Sequence, residues 1–192
     1  MSFRIETERL ILRDIREEDL PTLIAQSVER ESLKNVLANQ RTEAHNKVVY
    51  ENALAWAKTY ENQILREHYK LAVELKTDWT LIGSCTITPV KSNSYETSIG
   101  WHYGYQYRNN GYATEVASEL LHIGFELNNV RMIFADCFPD NKASIRVMEK
   151  IGMNPFWNFS LFNTLRGWSY GESRATVRHI ITKNQWLANK NR

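Results

Sequence analysis

The sequence predicts an α+β fold, a mixed and mostly antiparallel sheet with helices on both faces. Two observations carry this. From Leu71 to Tyr103, three runs of alternating apolar and polar residues follow one another across short polar turns, the pattern of an antiparallel meander. The last run then leads into a helical pattern from Gly111 and an apolar run from Met132 to Cys137, a strand–helix–strand unit.

The chain of 192 residues fits one domain, residues 1–192. Its 43% hydrophobic and 24% charged content is that of a soluble globular protein. A formal charge of +2 gives no support to a nucleic-acid partner. Cys85 and Cys137 sit in apolar, strand-like runs, which suits buried reduced thiols better than a disulfide framework. The five histidines, at 45, 68, 102, 122 and 179, lack ligand spacing, so no metal is expected. No apolar run approaches the roughly 18 residues of a membrane span, and the N-terminal stretch alternates charged and apolar residues. The expectation is a cytoplasmic protein with no membrane partner.

Taken in order, Leu10 to Arg13 reads as a first strand, and Arg16 to Asp19 opens a short helix that tolerates Pro21 in its first turn. A second short helix is expected around residues 32–38. Thr42 can cap the longest helical pattern, to about Arg66, with Val49, Ala53, Trp56, Tyr60 and Ile64 at steps of three or four. That spacing points Trp56 and Tyr60 to core packing. Strands follow at 71–75, at 81–88 ending before Pro89, and at 95–103, the last two separated by a polar turn at 91–94. In the helix from Gly111, Val116, Leu120, Gly124 and Leu127 share one side, and Asn128-Asn129 ends it. After the strand at 132–137, Asn141 can cap a helix at 142–150 that Gly152 terminates. Two further strands are expected between Phe156 and Ile181, with the turn at 163–167.

Chemistry concentrates where the 99–103 strand meets the 111 helix. The first N–H groups of a helix have no intrahelical partner and its dipole favours an anion, so a polar loop at a helix start can hold phosphate. Gly111 lets the backbone approach a ligand, Ala113 keeps the first turn small, and Arg108 adds a planar cationic fork.

Three pieces of sequence resemble the GNAT superfamily of N-acetyltransferases, and in particular its RimJ/RimL branch, the ribosomal-protein N-terminal acetyltransferases. Thr7-Glu8-Arg9-Leu10-Ile11-Leu12-Arg13 is similar to the branch's first strand. Arg108-Asn109-Asn110-Gly111-Tyr112-Ala113, continued by Thr114-Glu115, is similar to the Arg/Gln-x-x-Gly-x-Gly/Ala pyrophosphate loop. Asn141-Lys142-Ala143-Ser144, continued to Met153, is similar to the branch's Asn-x-x-Ser helix and its Lys-x-Gly-hydrophobic ending.

The resemblance implies the GNAT acyl-CoA N-acyltransferase fold, with a sheet splayed between the 95–103 and 132–138 strands. It implies acetyl-CoA as co-substrate: pyrophosphate on the backbone of Arg108, Asn109, Asn110, Gly111, Tyr112, Ala113 and Thr114, and the pantetheine arm along Trp101, His102 and Tyr103. Asn141 would meet the pantetheine, and Ser144 would lie near the thioester sulfur. The branch often carries Lys or Arg where this chain has Asn110, which implies weaker cofactor binding.

The implied reaction is direct attack of a primary amine, from a protein N-terminus or a small molecule, on the thioester carbonyl. Ser144 is the candidate to hydrogen-bond the leaving sulfur, or else simply a residue satisfying the helix start. For the base, His102, Glu172, Glu96 and a water chain stay open. Tyr105 and Tyr107 are candidates to line an acceptor pocket, with Trp157, Trp168 and Tyr170 opposite. A second reading keeps the fold as a non-catalytic CoA-binding or regulatory module. Either a monomer or a homodimer fits the sequence.

Overall fold

The computed structural model describes residues 3–34, 42–63, 65, 66, 68–90, 93–127, 130–156 and 176–190. Its strands are β1 (Arg4–Glu6), β2 (Leu10–Asp14), β3 (Tyr69–Leu75), β4 (Leu81–Val90), β5 (Asn93–Tyr103), β6 (Met132–Cys137), β7 (Asn154–Pro155) and β8 (Val177–Thr182). The helices are α1 (Leu20–Ser27), α2 (Arg30–Leu33), α3 (Glu43–Thr59), α4 (Tyr112–His122), α5 (Lys142–Lys150) and α6 (Lys183–Lys190). Among the described residues no helix is long and apolar enough to cross a membrane.

The strands form one sheet in the order β1-β2-β3-β4-β5-β6-β8-β7. Every neighbouring pair is antiparallel except β5 and β6. Alternation along the strands sends residues to two cores. Leu10, Leu12, Leu71, Val73, Ile99 and Ile133 pack with Val116 and Leu120 of α4 and Met148 of α5. On the other face Ile15 and Ala72 pack with Leu23 and Ile24 of α1 and with Tyr50 and Ala53 of α3. The α+β architecture expected from the meander and the strand–helix–strand unit is the one found.

β5 and β6 are paired only from Glu96–Met132 to Ser98–Phe134. Beyond that point β5 runs on with β4, and β6 with β8, so the two halves of the sheet diverge. On the far side of β5, Gly83 permits the close approach of β4: a Cβ there would lie 2.1 Å from the carbonyl oxygen of His102.

Several sequence expectations are corrected. Strands β1 and β7 and helix α6 were not expected; the two strands are only three and two residues long. α3 ends at Thr59 rather than near Arg66, and the chain turns through the left-handed Asn62. Trp56 is 37% exposed and stacks on His68 instead of entering the core. β4 passes Pro89, where the pairing with β5 shifts register, as befits a residue with no N–H. The second helix is described only over Arg30–Leu33. Of the polar turn expected at 91–94, Asn93 and Ser94 belong to β5 instead. Residues 35–41, 64, 91–92, the helix end at 128–129, and the first tail strand with its 163–167 turn lie outside the described residues.

A buried ionic staple joins the N-terminal strands to the rest. Arg13 donates through both Nη atoms to Asp19, at 2.6 and 2.9 Å, and through Nη2 to Glu74. All three side chains are less than 10% exposed. Beside them, Arg66 pairs with Asp14, which also accepts the Phe3 N–H.

Candidate active site

The divergence of β5 from β6 opens a cleft of about 820 Å³. It is bounded by Ile99–Tyr103 of β5, by 135–137 of β6, by the 105–111 loop with the first turn of α4, and by α5. The loop starts as a 3-10 turn at Tyr105–Tyr107 and ends at Gly111, the N-cap of α4. Asn109 (φ 65°) and Gly111 (φ 82°) both lie in the left-handed region.

That backbone shape leaves a row of donors. Thr114 and Glu115 donate to the Gly111 carbonyl, and Arg108 to that of Tyr105. The five N–H groups from Asn109 to Ala113 donate to no protein acceptor among the described residues. Consecutive free N–H groups with alternating backbone handedness, at a helix N-terminus, form an anion-binding nest.

The loop is clamped from outside. Glu115 accepts the Thr7 hydroxyl at 2.5 Å, the Arg9 N–H at 2.8 Å and Arg9 Nε at 2.8 Å. Arg9 also donates to the Asn110 carbonyl and lies over the Tyr112 ring. Two of the three recognised sequence pieces therefore touch. Burial raises the Glu115 pKa, but the bonds from Thr7 and Arg9 outweigh it and hold the carboxyl below its usual range.

Two expectations for the loop change. Arg108 does not offer its fork to an anion. It donates Nε and Nη2 to the Tyr103 carbonyl and Nη2 to Ser32 Oγ at 2.5 Å, bracing the end of β5 against α2. The Asn110 side chain turns away from the cleft and folds back to donate to the Tyr107 and Arg108 carbonyls, leaving its backbone N–H in the nest. The nest is built from backbone N–H groups, with Arg9 braced outside it on the Asn110 carbonyl.

The open edge of β5 can be assigned from alternation. The Tyr95 carbonyl accepts from Arg131 on the β6 side, whereas the Gly104 N–H donates to Ile82 on the β4 side. Backbone groups of Ile99, Trp101 and Tyr103 therefore turn towards the cleft, and those of His102 turn towards β4. Tyr103 already gives its carbonyl to Arg108. The main-chain partners for an extended ligand are Ile99 and Trp101.

His102 is corrected as a base. Its Nε2 lies 3.0 Å from the Gln26 carbonyl oxygen. A carbonyl only accepts, so Nε2 carries a hydrogen and is the donor. Burial against α1 pushes its pKa down to about 4, despite the bond to Gln26, so it is a weak base near neutrality. The unfolded chain therefore binds more protons between the ordinary value near 6.5 and about 4. Acidification through that window should cost about 2 kcal/mol of stability at this residue, and His102→Gln should flatten the loss in urea titrations at pH 7 and pH 4.5. An unchanged pH slope in the variant would show that the ring is not buried neutral.

At α5, Asn141 Oδ1 accepts the Ser144 N–H at 3.1 Å, a side-chain cap that fixes the start of the helix. The Ser144 hydroxyl has no protein partner among the described residues, and both residues line the cleft. Tyr105 and Tyr107 line it too. Glu172, Trp157, Trp168 and Tyr170 lie outside the described residues. Glu96 pairs with Met132 where β5 and β6 are still joined.

Sequence reasoning missed Asp136. It lines the cleft, and Arg178 of β8 donates Nε and Nη2 to its two oxygens at 2.7 and 2.6 Å. Burial raises its pKa, and Arg178 only partly offsets this.

Comparison with known proteins places these features in a family. The model described as "Acetyltransferase (GNAT) domain" matches residues 9–154. The chain is 31% identical over 151 residues to the uncharacterized N-acetyltransferase YnaD of Bacillus subtilis (strain 168), covering 78% of this chain and 81% of that protein. The crystal structure of a GNAT-family acetyltransferase from Bacillus anthracis superposes with a TM-score of 0.72 at 22% identity, over 95% of this chain and 99% of that one. Mycobacterium smegmatis RimJ in complex with CoA-disulfide superposes with a TM-score of 0.68 at 14% identity, over 98% and 94% of the two chains.

Proposed function

The chain belongs to the GNAT acetyltransferase family, and on that premise we propose that it transfers an acetyl group from acetyl-CoA to a primary amine, in the manner of the RimJ/RimL branch. The acceptor is a protein N-terminal α-amine or a small-molecule amine, and the working compartment is the cytoplasm. The observation that carries this reading is the nest of five free N–H groups at Asn109–Ala113, opening on a cleft with an unpaired strand edge. A pyrophosphate suits the nest, and an amide-bearing arm suits the edge at Ile99 and Trp101.

In this reading the chain's own groups do little covalent work. The nest and the β5 edge orient the thioester, and an N–H of that edge stabilises charge developing on its oxygen. The neutral amine attacks, the carbon–sulfur bond breaks, and the sulfur leaves with the bonding pair. Ser144 Oγ, free in the cleft, donates a hydrogen bond to that sulfur. Because hydroxyls are weak acids, Ser144→Ala should lower kcat by roughly 10–100-fold with little change in acetyl-CoA affinity. A proportionate rise in KM for acetyl-CoA instead would assign the serine to binding.

The test of donor binding is thermal. Acetyl-CoA at 100 times its dissociation constant should add about 2.7 kcal/mol, a melting rise of roughly 5–10 °C for a chain of this length. No rise at millimolar acetyl-CoA would overturn the proposed donor.

A further inference from the structure

We propose that Asp136, held by Arg178, is the residue that receives the acceptor ammonium and takes its proton. The proposal rests on the acetyl-transfer reading above and names a group that reading leaves unassigned. Among the described residues lining the cleft, Asp136 is the one carboxylate. Among those described residues, an amine that is a cation near neutral pH meets no other anionic group.

Its placement follows from strand alternation. Ile133 and Ala135 of β6 pack into the core shared with α4 and α5. Asp136 therefore points with Phe134 to the opposite face, the face on which His102 of β5 lies against α1. Ser144 stands on α5, on the other side of the opened sheet. The gap thus carries a sulfur-facing hydroxyl on one side and a carboxylate on the other. An amine entering from the α1 side reaches the carboxylate before the thioester.

Arg178 prepares Asp136 for this role. The guanidinium is 2% exposed, stacks 3.7 Å from the Phe134 ring centre, and grips both carboxylate oxygens. That fixes the carboxylate plane and uses one lone pair on each oxygen. The second lone pair stays available, and the side chain keeps 17% exposure. Burial, resisted by Arg178, leaves a stronger base than an exposed aspartate. His102, neutral and bonded to Gln26, does not compete.

The proton count closes. The ammonium passes one proton to Asp136, which releases it to solvent. As the nitrogen–carbon bond forms and the carbon–sulfur bond breaks, the nitrogen gives its surplus proton to the same carboxylate. The sulfur departs with the bonding pair and takes up one proton from solvent, to which Asp136 returns the second proton it received.

The test compares amines of different basicity. Thiol release from acetyl-CoA is followed at pH 7 with alaninamide and phenylethylamine, largely protonated, and with 2,2,2-trifluoroethylamine, already neutral. Asp136→Asn should keep the melting rise with acetyl-CoA, lower kcat by at least 100-fold for the basic amines, and lower it less than 10-fold for trifluoroethylamine. Asp136→Glu should recover part of the loss. If orphaning Arg178 prevents folding, Asp136→Asn with Arg178→Gln removes both charges and carries the same comparison. Equal losses with all amines, or no loss, would overturn the proposal. A wild-type protein that melts higher with acetyl-CoA yet releases thiol with none of these amines would also overturn it, while leaving donor binding intact.

Discussion

Gly111→Val should abolish the acetyl-CoA melting rise, with affinity reduced at least 100-fold, equivalent to about 2.7 kcal/mol. The reason is conformational. Gly111 holds φ at 82°, where a β-branched residue is strongly disfavoured, and its missing Cβ would sit 3.3 Å from Arg9 Nη2. Valine would pull φ negative and rotate the peptide groups on either side. The N–H groups of 110–112 would then no longer converge. The loop lies on the surface of the fold, clamped by Glu115 and Arg9, so the unliganded variant should lose only about 1–3 kcal/mol and remain folded. Gly111→Ala should show a smaller loss of affinity. A valine variant that keeps the full rise would remove the nest from the donor site.

Arg13→Met should be strongly destabilising, costing about 3–5 kcal/mol and lowering the melting point by roughly 10 °C. Removing this cation leaves Asp19 and Glu74, each less than 10% exposed, facing one another without compensation. The Asp14–Arg66 pair next to it depends on the same packing of β1 against β2. Adding Asp19→Asn and Glu74→Gln to Arg13→Met should recover part of the loss, because the buried charges then go together. The exposed Lys47–Glu51 pair is the contrast: at 3.9 Å and at least half exposed on both sides, its removal should change stability by less than about 0.5 kcal/mol. Comparable losses at the two sites in chemical denaturation would contradict the burial argument.

Much of the site was legible because its chemistry is local. A left-handed residue before a helix needs glycine, and Gly111 stands there. A helix start needs an acceptor three residues back, and Asn141 supplies it to Ser144. The strand at 132–137 and the helix at 142–150 have the bounds that their periodicity predicts. What stayed hidden depends on partners far along the chain. Arg108 is drawn to Ser32, 76 positions earlier, so a cation expected at the ligand becomes a brace. His102 loses its basicity to Gln26 and the burial α1 provides. Asp136 reads as one polar residue in an apolar strand until β8 brings Arg178 beside it. Trp56 kept a core-like spacing, but α3 turns only Tyr50 and Ala53 fully inward.

The insertion of β8 between β6 and β7 has a consequence for the order of assembly during synthesis. Every residue of the cleft's two walls leaves the ribosome before Val177, yet β7 has no partner and β6 has only three paired residues until β8 arrives. Asp136 waits 42 residues for its counter-ion. A nascent chain halted before β8 would hold a formed meander and the 109–113 nest beside a bare strand edge, so the strand that closes the sheet is made after all the strands it joins.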